Sequence, residues 1–310
     1  MTEFLMISNL PPIVTEQIEA MGEVHRLYEA EDKDAFLDKI GARIDIAIAA
    51  GGFPADAHAK LPNLKLISSY GVGYDGIDAP LANSHGVKVS NTPDVLSDAV
   101  AELTVGMMLA QTRRIVDADA YVRAGRWAKE GMFPLGAQLA GMKVGIFGLG
   151  RIGKEVAARL VPMKVEISYF GRSEQTDQPY RYFADLKEMA GHVDWLVSIA
   201  PGGAGTHHAI NAEVMAALGP EGRLFNIGRG SVVDEAALVE GLKSGALGGA
   251  ALDVFEDEPN PRPELLTMEN VLLQPHNGSA THETRAAMGQ LVVDNAKAMI
   301  EGRPLLTEVR

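Results

Sequence analysis

The chain has 310 residues, enough for two hydrophobic cores, and its 46% hydrophobic and 22% charged residues are the mix of a globular protein. A formal net charge of −13 argues against a nucleic-acid binder, which needs a basic face, and against an anionic membrane surface as partner. The absence of cysteine excludes disulfides, thiolate nucleophiles and Cys-based zinc or iron–sulfur sites.

Short apolar runs alternate with longer amphipathic stretches from the first residues onward. Phe4–Ile7, Ile44–Ala49, Leu64–Ser68 and Val87–Val89 read as buried strands. A long helix follows, with Ser97 as its expected N-cap and apolar positions at Val100, Leu103, Met107 and Met108. Residues 123–136 read as irregular yet apolar, with Trp127, Met132, Phe133 and Pro134, so something is expected to cover them. A second strand series runs through Lys143–Phe147, Val165–Phe170, Trp195–Ile199, Arg223–Ile227, Ala250–Val254 and Val271–Leu273, and a final helix is expected over about 281–300. Strands alternating with helices imply parallel sheets covered on both faces, and two series imply two α/β units. No apolar run approaches the roughly 20 residues of a membrane span. The first ten residues carry Glu3 and no basic cluster, unlike a signal peptide, so a cytoplasmic enzyme is expected.

Strand Lys143–Phe147 runs directly into Gly148-Leu149-Gly150-Arg151-Ile152-Gly153, a G-x-G-x-x-G turn ahead of a helix at Lys154–Leu160. The first glycine permits the tight turn, the second lets backbone approach a pyrophosphate, and the third lets the helix pack on the strand. The helix N-terminus then offers N–H groups and a partial positive charge to phosphate. The alternative is a glycine turn with packing value only. An NAD site usually carries Asp or Glu at the end of the next strand. Here that strand ends Tyr169-Phe170-Gly171-Arg172-Ser173, and Glu174 comes late. Arg172 and Ser173 suit a 2′-phosphate, which favours NADPH and leaves NADH possible. The plainer alternative makes Arg172 a solvated loop cation.

Three more polar segments follow apolar strands: Asn226-Ile227-Gly228-Arg229-Gly230, then the run from Asp253 to Pro259, then Gln274-Pro275-His276-Asn277-Gly278-Ser279. In an open parallel sheet all three are expected to face the ligand crevice beyond the strand ends. The order GLGRIG, NIGRG, DVFEDEP, QPH resembles the D-isomer-specific 2-hydroxyacid dehydrogenases, and the upstream run Gly71 to Asp78 fits that family's substrate-domain loop. Tyr-Phe-Gly-Arg-Ser after the second strand looks most like the NADPH-using glyoxylate/hydroxypyruvate reductases and the hydroxyphenylpyruvate reductases of the family.

The resemblance implies two Rossmann-like or flavodoxin-like doubly wound domains with an active-site cleft between them. Residues 1–97 with 283–310 would form the substrate domain and 98–282 the dinucleotide-binding domain. It assigns Arg229, Glu258 and His276 as catalytic. Arg229 would grip a 2-keto acid's carboxylate and polarise its ketone, and His276, oriented by Glu258, would supply the proton. The N–H groups of Val72 and Gly73 would hold the other carboxylate oxygen. It also suggests that Thr104, Ile227, Gly228, Asp253 and Gly278 face the cofactor, with Asp253 alternatively a loop-capping carboxylate. Gly51, Gly52, Phe53, Tyr74, Trp127, Met132 and Phe133 are candidate pocket residues. The family implies a homodimer with residues 123–136 as an arm around the partner, from which Trp127 would reach the neighbouring pocket.

The other histidines, including the adjacent His207 and His208, read as structural or solvated, and no metal is expected. A small keto acid such as glyoxylate or hydroxypyruvate is the expected substrate. Phenylpyruvate or hydroxyphenylpyruvate is the alternative if Phe53 stacks on an aromatic ring. Phosphoglycerate and formate oxidation are disfavoured, as are a methyltransferase-like fold and a non-catalytic NAD(P) sensor.

Overall fold

The structure, a computed structural model, describes residues 1–309. In chain order its strands are β1 (Thr2–Met6), β2 (Gly22–Arg26), β3 (Ile46–Ala49), β4 (Leu66–Ser69), β5 (Lys88–Ser90), β6 (Lys143–Phe147), β7 (Glu166–Phe170), β8 (Arg181–Phe183), β9 (Trp195–Ser198), β10 (Arg223–Asn226), β11 (Gly249–Leu252), β12 (Val271–Leu273) and β13 (Glu308–Val309). Every strand expected from an apolar run forms, to within a residue or two at its ends. The three without such a run, β2, β8 and β13, all lie at sheet edges. An edge strand has one neighbour and need not be apolar on both faces.

The chain divides into one unit of Met1–Leu96 with Ser279–Arg310 and a second of Ser97–Gly278. The division falls after Leu96 and after Gly278, rather than after 97 and 282. The second shift has a physical reason. The Gly278 N–H donates to the Asp253 carboxylate at 2.8 Å, which keeps the chain with the second unit up to that residue.

In the first unit the sheet order is β13-β5-β4-β3-β1-β2, parallel except for β13. Its core includes Leu5, Ala47, Ile67 and Val89, one from each central strand. Helix His282–Ile300, N-capped by Thr281, packs on helix Pro12–Glu19 so closely that a Cβ at Gly289 would lie 2.3 Å from Val14.

In the second unit the order is β12-β11-β10-β9-β6-β7-β8, all parallel, with the direction of winding reversing between β6 and β9. Helices Leu186–Ala190, Ala212–Leu218 and Glu235–Ser244 bury Met189, Val214 and Leu238 in one core. Helix Ser97–Thr112 lies against helix Arg151–Leu160 and against β10 to β12. It begins at Ser97 itself rather than being capped by it.

Residues 123–136 are not wholly irregular, since Arg126–Glu130 forms a short helix after helix Ile115–Arg123. Phe133 packs its ring 5.3 Å from Tyr121. Trp127, Met132 and Leu135 stay 60%, 84% and 95% exposed.

The third glycine of the turn gives a test of the packing. A Cβ on Gly153 would stand 2.3 Å from the Gly148 carbonyl oxygen, whereas one on Gly106 would meet nothing within 4 Å. Gly153→Ala is expected to cost about 1–3 kcal/mol of stability by overpacking. Gly106→Ala, in an exposed helix position, is expected to gain about 0.5–1 kcal/mol. Thermal melts of both variants check this, and equal melting temperatures would contradict it.

Candidate functional site

The glycine turn sits where β6 meets its helix, at the point of strand reversal. Gly148 has φ +102°, a conformation that side chains disfavour. Around Gly150 a Cβ would meet nothing within 4 Å, so the turn has open space on that side. Gly150 is also the N-cap of helix Arg151–Leu160, and no side chain caps the helix. An open glycine turn ending in an uncapped helix start fits a dinucleotide pyrophosphate. Leu149 is buried, and its carbonyl accepts Gln175 Nε2 at 2.7 Å. Beyond β7, Gly171 is half-buried and Arg172 and Ser173 are exposed. Arg172 pairs with no carboxylate among the described residues.

The loop after β10 is organised by Asn226, which is buried. Its Nδ2 donates to the Arg229 carbonyl at 2.9 Å and its Oδ1 accepts the Gly228 N–H at 3.3 Å. A Cβ at Gly228 would lie 2.6 Å from the Ala200 carbonyl oxygen, so this backbone packs tightly on the loop after β9. Ile227 turns its side chain inward and its N–H to the Ser198 carbonyl. Arg229 is half-buried, and its guanidinium is near enough to Glu258 to lower that group's pKa.

The loops after β11 and β12 carry Glu258 and His276. Nδ1 of His276 and Oε2 of Glu258 are 2.7 Å apart, and Glu258 Oε1 accepts the Phe255 N–H at 3.0 Å. Burial pushes the Glu258 pKa up. The hydrogen bond from His276, the Phe255 N–H and the charges of His276 and Arg229 outweigh it, and the net shift is downward. With Nδ1 engaged, Nε2 remains for proton exchange with a ligand, and half of the His276 side chain is exposed. His276 itself has φ +53°. Its N–H donates to the Asp253 carbonyl at 2.9 Å, and the Asp253 carboxylate accepts the N–H groups of Asn277 and Gly278 at 2.6 and 2.8 Å. Burial raises the Asp253 pKa, opposed by those two N–H groups. Beside the pair, Phe255, Pro259, Pro261, Leu266, Leu273 and Pro275 line a largely apolar cavity of about 270 Å³.

In the first unit the loops at 51–53 and 71–77 lie side by side, joined by a Gly52–Gly76 bridge and by the Phe53 N–H on the Gly76 carbonyl. Asn91 Nδ2 donates to the Val72 carbonyl at 2.9 Å and the Thr92 N–H to that of Gly71 at 3.0 Å, which fixes the Val72–Gly73 backbone.

Four of the candidate residues are buried. Phe53 is 6% exposed, its ring in the core 5.0 Å from His58. Thr104 is 0% exposed and its hydroxyl donates to the Val100 carbonyl one turn back. Asp253 is 1% exposed with both oxygens on backbone, an arrangement that holds the loop. Gly278 is buried for the same reason, with a Cβ there 3.2 Å from Asp253. His208 pairs with Glu256 and stacks 4.0 Å from the His207 ring.

Sequence reasoning assigned no role to Asn226, Gln175 or Glu235. Glu235 is buried and accepts the Glu256 N–H at 2.7 Å, bracing the loop that carries Glu258. Burial raises its pKa. Asn226 lies in the Asn226–Gly230 segment, where a polar residue closing an apolar strand is the signal in the sequence.

A glycine turn at the reversal of a parallel sheet, with a histidine–carboxylate pair further along the same edge, defines a dinucleotide-dependent oxidoreductase domain. Residues 105–278 match the model for the NAD-binding domain of the D-isomer-specific 2-hydroxyacid dehydrogenases. The chain is 42% identical to glyoxylate/hydroxypyruvate reductase A of Arabidopsis thaliana, over 98% of each chain. It is 44% identical to hydroxyphenylpyruvate reductase of Plectranthus scutellarioides, over 98% of each. Among solved structures, the NADPH-dependent glyoxylate/hydroxypyruvate reductase of Sinorhizobium meliloti, in complex with NADP and malonate, matches with TM-score 0.93 and 41% identity over 99% of this chain and 96% of that one. The protein belongs to the D-isomer-specific 2-hydroxyacid dehydrogenase family and is a nicotinamide-dependent enzyme of it.

The Glu258–His276 pair has a pH signature. A carboxylate whose pKa is lowered on folding stabilises the fold above the ordinary carboxylate range, and that contribution is lost as pH falls through the lowered value. The melting-temperature gap between the native protein and Glu258→Gln is therefore expected to be full near neutrality and to close in acid. A gap that stays constant down to the acid transition would contradict the pairing.

Proposed function

We propose that the protein reduces a small 2-keto acid, glyoxylate or hydroxypyruvate, to the D-2-hydroxy acid with NADPH. The observation that carries this reading is the His276–Glu258 hydrogen bond, with Arg229 near enough to influence it electrostatically. When bound, the cofactor supplies a hydride. Arg229 binds the substrate carboxylate and draws charge toward the ketone oxygen. His276, held through Nδ1 by Glu258, delivers the proton from Nε2 to that oxygen. Val72 and Gly73 contribute backbone N–H groups to the carboxylate. Gly148 to Gly153 hold the pyrophosphate, and Arg172 and Ser173 read the 2′-phosphate. NADH remains an acceptable second cofactor. No described helix is long and apolar enough to cross a membrane.

A second reading, reduction of hydroxyphenylpyruvate or phenylpyruvate, is favoured by the apolar cavity beside His276, which offers a larger side chain a place to rest. Initial rates of NADPH and NADH oxidation with glyoxylate, hydroxypyruvate, pyruvate and phenylpyruvate separate the two. Fast turnover of the small acids supports the first, and preference for phenylpyruvate the second. His276→Gln is expected to lower kcat by about 10²–10⁴-fold with cofactor affinity nearly intact. Near-normal kcat when chemistry limits would remove His276 from the role.

The chain is also proposed to work as a homodimer. Ile115, Val116, Val122, Trp127, Met132 and Leu135 are exposed apolar side chains within one short stretch. A second copy would cover them, with Trp127 reaching the partner's substrate pocket. Trp127→Ala is expected to weaken the dimer in sedimentation analysis and to raise KM. A native chain that sediments as a monomer at micromolar concentration would sink the idea.

A further inference from the structure

We propose that Gln175, backed by Tyr169, is a positioning residue for cofactor selectivity. It ties the loop bearing Arg172 and Ser173 to the glycine turn, so that the groups facing the 2′-phosphate are fixed before the cofactor arrives. This rests on the proposed NADPH reading of Arg172.

The loop after β7 is closed by its own hydrogen bonds. Tyr169 is fully buried in β7, so its hydroxyl has a fixed place, and it accepts the Gln175 N–H at 2.6 Å. Tyr182, on β8 beside it with ring centroids 5.4 Å apart, donates its hydroxyl to the Gly171 carbonyl at 3.4 Å. The Gln178 N–H closes a turn onto the Gln175 carbonyl at 3.0 Å. Gln175 Nε2 then leaves the loop and donates to the Leu149 carbonyl at 2.7 Å, in the middle of the glycine turn. Lys154, on the helix that follows that turn, lies 3.7 Å from Asp177. Two segments that would meet opposite ends of one adenosine phosphate are thus joined by the Gln175 hydrogen bond, with the longer Lys154–Asp177 ion pair beside it.

Exposed arginine and serine side chains on a free loop would lose backbone and rotamer freedom on binding. Tethering removes part of that loss in advance, and the gain goes to whichever cofactor those side chains touch. A tether serving only the glycine turn would help NADPH and NADH equally, because both carry the pyrophosphate. A tether serving Arg172 and Ser173 helps NADPH alone.

The test measures dissociation constants for NADPH and NADH, by nicotinamide fluorescence, for the native protein, Gln175→Met, Tyr169→Phe and Arg172→Ala. Gln175→Met keeps the length and removes the donor, and melts confirm that each variant folds. If Tyr169→Phe does not fold, Gln175→Met decides. The expected result for Gln175→Met is about ten-fold weaker NADPH and about two-fold or less for NADH, with Arg172→Ala shifting the same ratio further. Equal weakening of both cofactors, or of neither, by Gln175→Met while Arg172→Ala changes the ratio overturns the proposal alone. An unchanged ratio in Arg172→Ala overturns the 2′-phosphate reading and this proposal with it.

Discussion

The carboxylate of Asp253 decides where His276 can be. A left-handed backbone at a residue with a side chain costs about 1–2 kcal/mol and persists only where its surroundings over-determine it. Here they do. The His276 N–H is taken by the Asp253 carbonyl, and the next two N–H groups by the two oxygens of the same side chain. Burying that carboxylate is itself costly, as its raised pKa records, and the two N–H groups partly offset the cost. The result is a turn that aims one imidazole nitrogen at Glu258 and leaves the other for a ligand. The His276–Glu258 contact thus rests on this turn.

The rest of the site is held by close backbone packing and by further side chains bonded to loop backbone. A Cβ at Gly230 would stand 1.9 Å from the Phe255 carbonyl carbon, so the loop of Arg229 and the loop of Glu258 interlock with no side chain between them. Glu235 braces the second of these loops from below through the Glu256 N–H, and Asn226 organises the first through its own carbonyl and N–H partners. Buried polar side chains are expensive unless every hydrogen bond is made. Spending them on loop backbone buys a geometry that the exposed reactive groups could not hold by themselves.

This explains which features were legible in the sequence. The parallel strands were, because each central strand must be apolar on both faces, whereas β2, β8 and β13 carry no such run. The glycine turn was, since glycine spacing encodes both φ at Gly148 and the close approach at Gly153. What the sequence leaves open is which way a side chain points. Phe53 and Thr104 sit in segments of the expected kind, yet packing turns one into the core and lets the other satisfy its hydroxyl within its own helix. Gln175 was invisible because its partner, Leu149, is remote in sequence and offers only a carbonyl, which every residue has.

Sheet order separates the two tasks of the second unit. The loop of Arg172 follows β7, and Asp253, which holds the His276 turn, follows β11. Between them lie β6, β9 and β10. At the usual spacing of parallel strands the two ends are about 19 Å apart. An extended dinucleotide is the kind of ligand that spans such a distance. The distance also insulates them. Hydrogen bonds that hold the Arg172 loop run to Leu149, Tyr169 and Tyr182, while those that hold the His276–Glu258 pair run to Asp253, Phe255 and Glu235. No residue is common to the two sets. A change in the hydrogen bonds of the Arg172 loop therefore need not disturb the His276–Glu258 pair.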